Sequence, residues 1–205
     1  MKSSQLLTTI VFLSVLIEME LQKEIPACGL LGPNVLPTMI NSYPTHRWAW
    51  HAAIYHIIDG EKKYYCGGTV ITSGSILTAA HCVSKSGYPM KETQIIVSLG
   101  RLTLSANDSH AQEFEVKKIF VHPDFIYYTL INDIAILRLS KRIKFNNYVQ
   151  PVCLWKSNMS EVIGKFGTVI GWGETETDKQ SIELRQASLP VLPWTTCLEN
   201  KASEH

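Results

Sequence analysis

After Pro26 the sequence never sustains a 3.6-residue apolar period; it runs as short β-prone stretches cut by turn residues. Trp48 to Ile58 is rich in aromatic and apolar residues and stops at Asp59-Gly60, a strong two-residue turn signal, before Lys62 to Cys66. That pattern predicts a hairpin. Further strands are expected at Thr69 to Thr72, Ile76 to Ala80, Ile95 to Leu99, Phe114 to Val121, Ile134 to Leu139, Thr168 to Trp172 and Arg185 to Val191, with Gly, Pro, Asn, Asp and Ser clusters between them. Many short strands joined by turns make an all-β antiparallel sandwich or barrel, not an α/β fold. Asn146 to Val162 reads as a connector between two such units.

Composition narrows the partners. The 205 residues carry 19 Lys and Arg against 18 Asp and Glu, a net charge of +1, so no global field gathers phosphates or anionic lipid. No nucleic-acid partner is expected. At 45% hydrophobic and 18% charged, the chain has the makings of a packed core and shows no solenoid repeat.

At the N-terminus, Lys2 precedes the apolar run Leu6 to Ile17, which Glu18, Glu20, Lys23 and Glu24 close off. This reads as a secretory signal peptide over residues 1–22, too short for a comfortable membrane span; the alternative is an N-terminal helix of the folded domain. Export to an oxidising compartment would account for five cysteines, and the sequons at Asn107 and Asn158 fit the same compartment. The expected localisation is secreted and extracellular, with no membrane association once the signal is removed.

Two short motifs carry chemistry. Thr78-Ala79-Ala80-His81-Cys82 ends an apolar strand on a histidine flanked by small residues and a cysteine that can pin the turn. Taken alone, such a histidine is more often structural or a metal ligand than a catalytic base. Asn132-Asp133-Ile134-Ala135-Ile136-Leu137 sets one carboxylate at the head of another apolar strand, where burial is costly unless a donor such as an imidazole N–H meets it.

These residues resemble the trypsin/chymotrypsin family of serine endopeptidases. The similarity runs in order through Cys66-Gly67-Gly68-Thr69-Val70-Ile71, Leu77 to Cys82, Asp133 to Leu137, Val149 to Leu154, Thr168 to Gly173 and Leu184 to Pro190, covering roughly residues 28 to 197. It implies a double antiparallel β-barrel, with the first barrel complete over about 40–145 and the second incomplete over about 155–205. A linker over 23–39, tethered through Cys28, would precede a peptidase domain over 40–205. His81 would be the base and Asp133 the carboxylate that orients it, in the chain order of the chymotrypsin type, which places its serine last. The resemblance also implies disulfides Cys66–Cys82 and Cys28–Cys153, with Cys197 unpaired.

The nucleophile is missing from these 205 residues. No Gly-Asp-Ser-Gly-Gly occurs, and the last serines, Ser181, Ser188 and Ser203, have the wrong neighbours. The chain as given is therefore expected to be inactive, lacking the C-terminal part that holds the serine and the oxyanion donors. The segment Leu36 to Ser42, where family zymogens are cut after a basic residue, has no Lys or Arg and looks closer to variants in some insect regulatory homologues. Two readings follow: a secreted endopeptidase acting on protein or peptide substrates, seen here without its nucleophile segment, or a non-catalytic homologue that binds a regulatory protein partner. No cofactor and no metal are expected; Cys66, His81 and Cys82 have poor ligand spacing, and Arg101 to Gln112 does not read as a calcium loop.

Overall fold

The structure, a computed structural model, describes residues 28–32, 48–104, 108–155, 161–173, 180–193 and 195–196. The apolar N-terminal run, the segment Leu36 to Ser42, the sequons at Asn107 and Asn158, Ser203 and Cys197 lie outside the described residues.

The regular structure of the described chain is almost entirely strand: β1 His51–Ile58, β2 Glu61–Thr72, β3 Ser75–Thr78, β4 Ser84–Lys85, β5 Tyr88–Pro89, β6 Ile95–Leu99, β7 Gln112–Val121, β8 Ala135–Leu139, β9 Phe166–Gly171 and β10 Arg185–Pro190. Six of them close an antiparallel barrel in the order β1-β2-β3-β8-β7-β6, and β6 pairs back onto β1. The all-β class expected from the sequence holds. Among the described residues no helix is long and apolar enough to cross a membrane.

Local chemistry explains the turns. Asp59 and Gly60 take φ of 53° and 81°, the doubly left-handed geometry of a two-residue hairpin turn that joins Ile58 to Glu61 in register. Ser86 and Gly87, with φ of 52° and 86°, make the same turn between β4 and β5, a hairpin too short for the sequence pattern to reveal.

One strand assignment needs correction. The expected strands Lys62 to Cys66 and Thr69 to Thr72 are a single strand, β2, running straight through Gly67-Gly68. These glycines interrupt nothing; they thin the strand. A Cβ on Gly68 would sit 2.9 Å from Ile76 Cγ2 on the adjacent β3, and one on Gly67 would sit 3.1 Å from His51 Cε1.

β1 is buried on both faces, which is why its sequence reads as a near-continuous apolar run. Ala52 and Ile54 face the barrel interior with Val70, Ile76, Val97 and Leu137. Ala53 and Tyr55 face outward into a second cluster with Trp172 and Leu184. That outer cluster seats the later part of the chain on the barrel. Trp172 is 1% exposed, packs on His51 and Tyr64, and donates its indole N–H to Leu102 O at 3.2 Å. Leu184 N donates to Leu102 O, Leu104 N donates to Ile182 O, and the Trp48 indole N–H donates to Gln186 Oε1. The second unit, as described, is the two-stranded sheet β9–β10, with Phe166, Val169 and Leu189 exposed.

Two disulfides brace the arrangement. Cys28 joins Cys153 across 125 residues, with Gly29 N donating to Pro151 O at 2.8 Å; Cys66 joins Cys82 across 16 residues. Each closes a loop in the unfolded chain and so lowers its entropy, by about 3 kcal/mol for the shorter loop.

His51 makes this packing pH-sensitive. It is buried against Trp172, its Nε2 has no hydrogen-bond partner among the described residues, and burial lowers its pKa to about 4. Because the unfolded histidine titrates near 6.5, the unfolded chain binds a proton between about pH 6.5 and 4 that the folded chain refuses. The stabilisation from a neutral His51 is complete above pH 6.5 and is lost as the pH falls to about 4, by about 3 kcal/mol. Urea unfolding of the wild type should therefore show a larger loss between pH 7 and 4 than His51→Gln, by roughly that amount; equal losses would contradict the assignment. Hydrogen exchange provides a second measurement. Ile54, Val97 and Leu137 in the barrel should exchange more slowly than Val169 and Ile170, whose sheet has two strands and an exposed face; matched protection would show instead that the two units open together.

Candidate active site

The site lies where β3 ends and β8 begins. These strands pair antiparallel with Thr78 opposite Ala135, so the residues just after Thr78 and just before Ala135 emerge at the same end of the barrel. His81 opens a short 3-10 turn, His81–Val83, that follows β3. Asp133 directly precedes the last loop residue before β8, and its neighbour Asn132 has φ of 55°, a conformation asparagine tolerates better than most residues. The Asn132 side-chain amide donates to Asp124 O at 2.9 Å, and Ile134 N donates to Asn132 O at 2.8 Å, fixing the approach to Asp133.

The carboxylate grips the histidine at two points. His81 N donates to Asp133 Oδ1 at 2.8 Å, and His81 Nδ1 lies 2.6 Å from Oδ2. Partial burial by itself raises the carboxyl pKa, but the ring hydrogen bond from His81, its backbone N–H and that of Ala80 outweigh it and hold Asp133 below its ordinary value. An ionised Asp133 can only accept, so the proton of a neutral imidazole resides on Nδ1 and the Nε2 lone pair is left for an incoming proton. The His81 side chain is 42% exposed, against 18% for Asp133. The oriented ring thus presents an accessible edge.

The surroundings hold this geometry. Thr78 Oγ1 donates to Gly67 O at 2.9 Å, tying β3 to β2, and the Cys66–Cys82 bridge locks the 3-10 turn to β2. Cys82 Sγ and Cys66 Sγ lie 3.4 and 4.0 Å from His81 Nε2. These three ligand atoms fall within 4.8 Å of one another, but the sulfurs are bonded to each other and offer no thiolate to a metal. Beside Asp133 opens a hollow bordered by Gly67, Thr69, Thr78 and Ile170, with His51 in its wall.

Serine is not part of this cluster among the described residues. Ser181 is buried and donates to Glu183 O at 2.7 Å, while Ser188 pairs with Thr168 in the β9–β10 sheet. No motif marks His51, which sits among the apolar residues of Trp48 to Ile58; the one signal in the sequence is a histidine inside an apolar run.

A comparison with known proteins matches the Trypsin family model over residues 39–205. The serine protease snk of Drosophila melanogaster is 34% identical over 140 residues, 68% of this chain and 31% of the relative. Phenoloxidase-activating factor 3 of Holotrichia diomphalia is 33% identical over 175 residues, 78% of this chain and 47% of the relative. Chymotrypsin-like elastase family member 1 of Felis catus is 36% identical over 156 residues, 73% of this chain and 55% of the relative. The chain thus spans from about a third to about half the length of these relatives. With the closed barrel, the family match and these identities in agreement, the chain belongs to the trypsin family of serine proteases.

Proposed function

We propose that these residues form the histidine- and aspartate-bearing part of a secreted serine endopeptidase. The observation that carries this reading is the two-point grip of Asp133 on His81, which fixes one ring tautomer and leaves Nε2 able to accept a proton. In the whole enzyme His81 would take the proton of a serine hydroxyl as its oxygen attacks a peptide carbonyl. The imidazolium, stabilised by ionised Asp133, would return that proton to the leaving amine; water would then hydrolyse the acyl-enzyme by the same route. The nucleophile and its oxyanion donors are not supplied by these 205 residues, so the chain by itself is inactive. Residues 1–22 act as the signal peptide, 23–39 as a tether held through Cys28, and 40–205 as peptidase domain. Two closed disulfides and the sequons at Asn107 and Asn158 support an extracellular setting.

A second reading, a non-catalytic homologue that binds a regulatory protein, is favoured by one observation: Leu36 to Ser42 contains no basic residue for an activating cut. The ordered His81–Asp133 pair weighs against it, because binding alone has no use for a fixed tautomer.

Nitrogen-15 NMR on the 205-residue chain should find the neutral His81 ring protonated on Nδ1, and Asp133→Asn should shift population to the other tautomer; an unchanged tautomer ratio would remove Asp133 from its role. The same chain should take up no fluorophosphonate label. The decisive measurement is on the transcript beyond codon 205: an in-frame Gly-Asp-Ser-Gly-Gly is expected, and the longer product should cleave peptides with kcat reduced about 10³-fold or more by His81→Ala. A stop at that codon in every transcript would instead establish the binding homologue.

A further inference from the structure

A groove of about 710 Å³ on the barrel wall concentrates charge in a protein whose net charge is only +1. Lys117, Lys118, Arg138, Lys141 and Arg142 line it together with Phe120, and no carboxylate contributes to its walls. Among the described residues Lys117, Lys118, Arg138 and Lys141 lie in no ion pair. The N-terminal end of the same strand behaves differently: there Glu113 pairs with both Lys62 and Arg101.

Three features of the fold build the cluster. First, the β7–β8 register shifts between Val116 and Lys118, and this bulge leaves Lys117 without a partner and turns both consecutive lysines outward, where regular alternation would bury one. Second, Lys118 stands directly opposite Arg138 across the ladder. Like charges in that position are destabilising, and among the described residues no acid pairs with either. Third, Leu139 N and Ile143 N donate to Gly74 O and Ser73 O, holding the loop that carries Lys141 and Arg142 against the β2–β3 turn. A closed barrel has no free strand edge here, so an occupant must be recognised by side chains and not by strand addition.

We infer that this groove docks an acidic segment of a protein partner, with its carboxylates on Lys117, Lys118, Arg138 and Lys141 and an apolar side chain against Phe120. The apolar pad selects a peptide over a sulfated polysaccharide or a nucleic acid. Phe120 is 45% exposed, lies opposite exposed Ile136, and carries Lys118 Nζ 5.0 Å above its ring, so cationic and apolar contacts adjoin. The surface stands apart from the candidate active site: Asp133 precedes β8, whereas Arg138 lies near the far end of that strand, about 10 Å beyond Ala135 at strand spacing. It therefore does not depend on the proposed catalytic role.

The experiment is fluorescence anisotropy on the 205-residue chain with a short labelled peptide of alternating Glu and Leu around one Phe. Binding is expected, weakening as salt rises. Arg138→Glu should reduce affinity about tenfold while raising Tm by about 1–3 °C, because it places an acid opposite Lys118. Phe120→Ser should weaken binding severalfold, and the charge-matched Lys165→Glu, on the second unit, should leave it unchanged. Equal affinity across all variants would overturn the inference by showing non-specific attraction. A lowered Tm in Arg138→Glu would overturn the like-charge argument. Saturable binding of heparin or single-stranded DNA at these residues with none of the peptide would overturn the docking inference by assigning the groove to a different partner.

Discussion

The pairing of β3 with β8 is the constraint on which the site depends. Neither His81 nor Asp133 lies within the ladder, yet the register that sets Thr78 opposite Ala135 delivers both to one end of the barrel. The two-point contact between them, at 2.8 and 2.6 Å, is possible only because both flanking strands are fixed by hydrogen bonds and by the core residues Ile76 and Leu137. The Cys66–Cys82 bridge adds a covalent stop to the turn that His81 opens. A rigid ladder thus converts a sequence separation of 52 residues into a hydrogen bond.

The same barrel works as a platform on its outer side. Because β1 is buried on both faces, it serves the barrel core with Ala52 and Ile54 and the outer cluster with Ala53 and Tyr55. Trp172 links the β9–β10 sheet to that cluster through apolar burial and one indole hydrogen bond, and it places a histidine, His51, in a buried contact that favours its neutral form. Burial that joins two units therefore also ties their association to pH.

Much of the local structure was legible in the sequence because turn chemistry and strand alternation act over a few residues. Asp59-Gly60 specified its own hairpin, Ile95 to Leu99 forms a strand with the bounds expected of it, and the apolar stretch from Trp48 supplies the first strand of that hairpin. The pairing of His81 with Asp133 was legible in the same sense: a histidine after an apolar strand and a carboxylate before another are groups that need each other once buried. The motifs also carried the family, which the match over residues 39–205 shows.

What only the tertiary structure decided are features set by contact between distant segments. Gly67-Gly68 looks like a break in the sequence and is a continuous strand in the fold, because the relevant quantity is the 2.9 Å that a Cβ would leave to Ile76. The bulge at Lys117 depends on how β7 registers against β8, and the burial of His51 depends on where Trp172 lands. Composition, periodicity and turn residues are properties of neighbours along the chain, so the sequence by itself determined the strand-rich class, the turns and which histidine and carboxylate stand at the ends of apolar strands. Register and burial are properties of neighbours in space, so the distance between His81 and Asp133 and the gathering of five cations into one groove were settled only by closing the barrel, and the burial of His51 only by packing Trp172 against it.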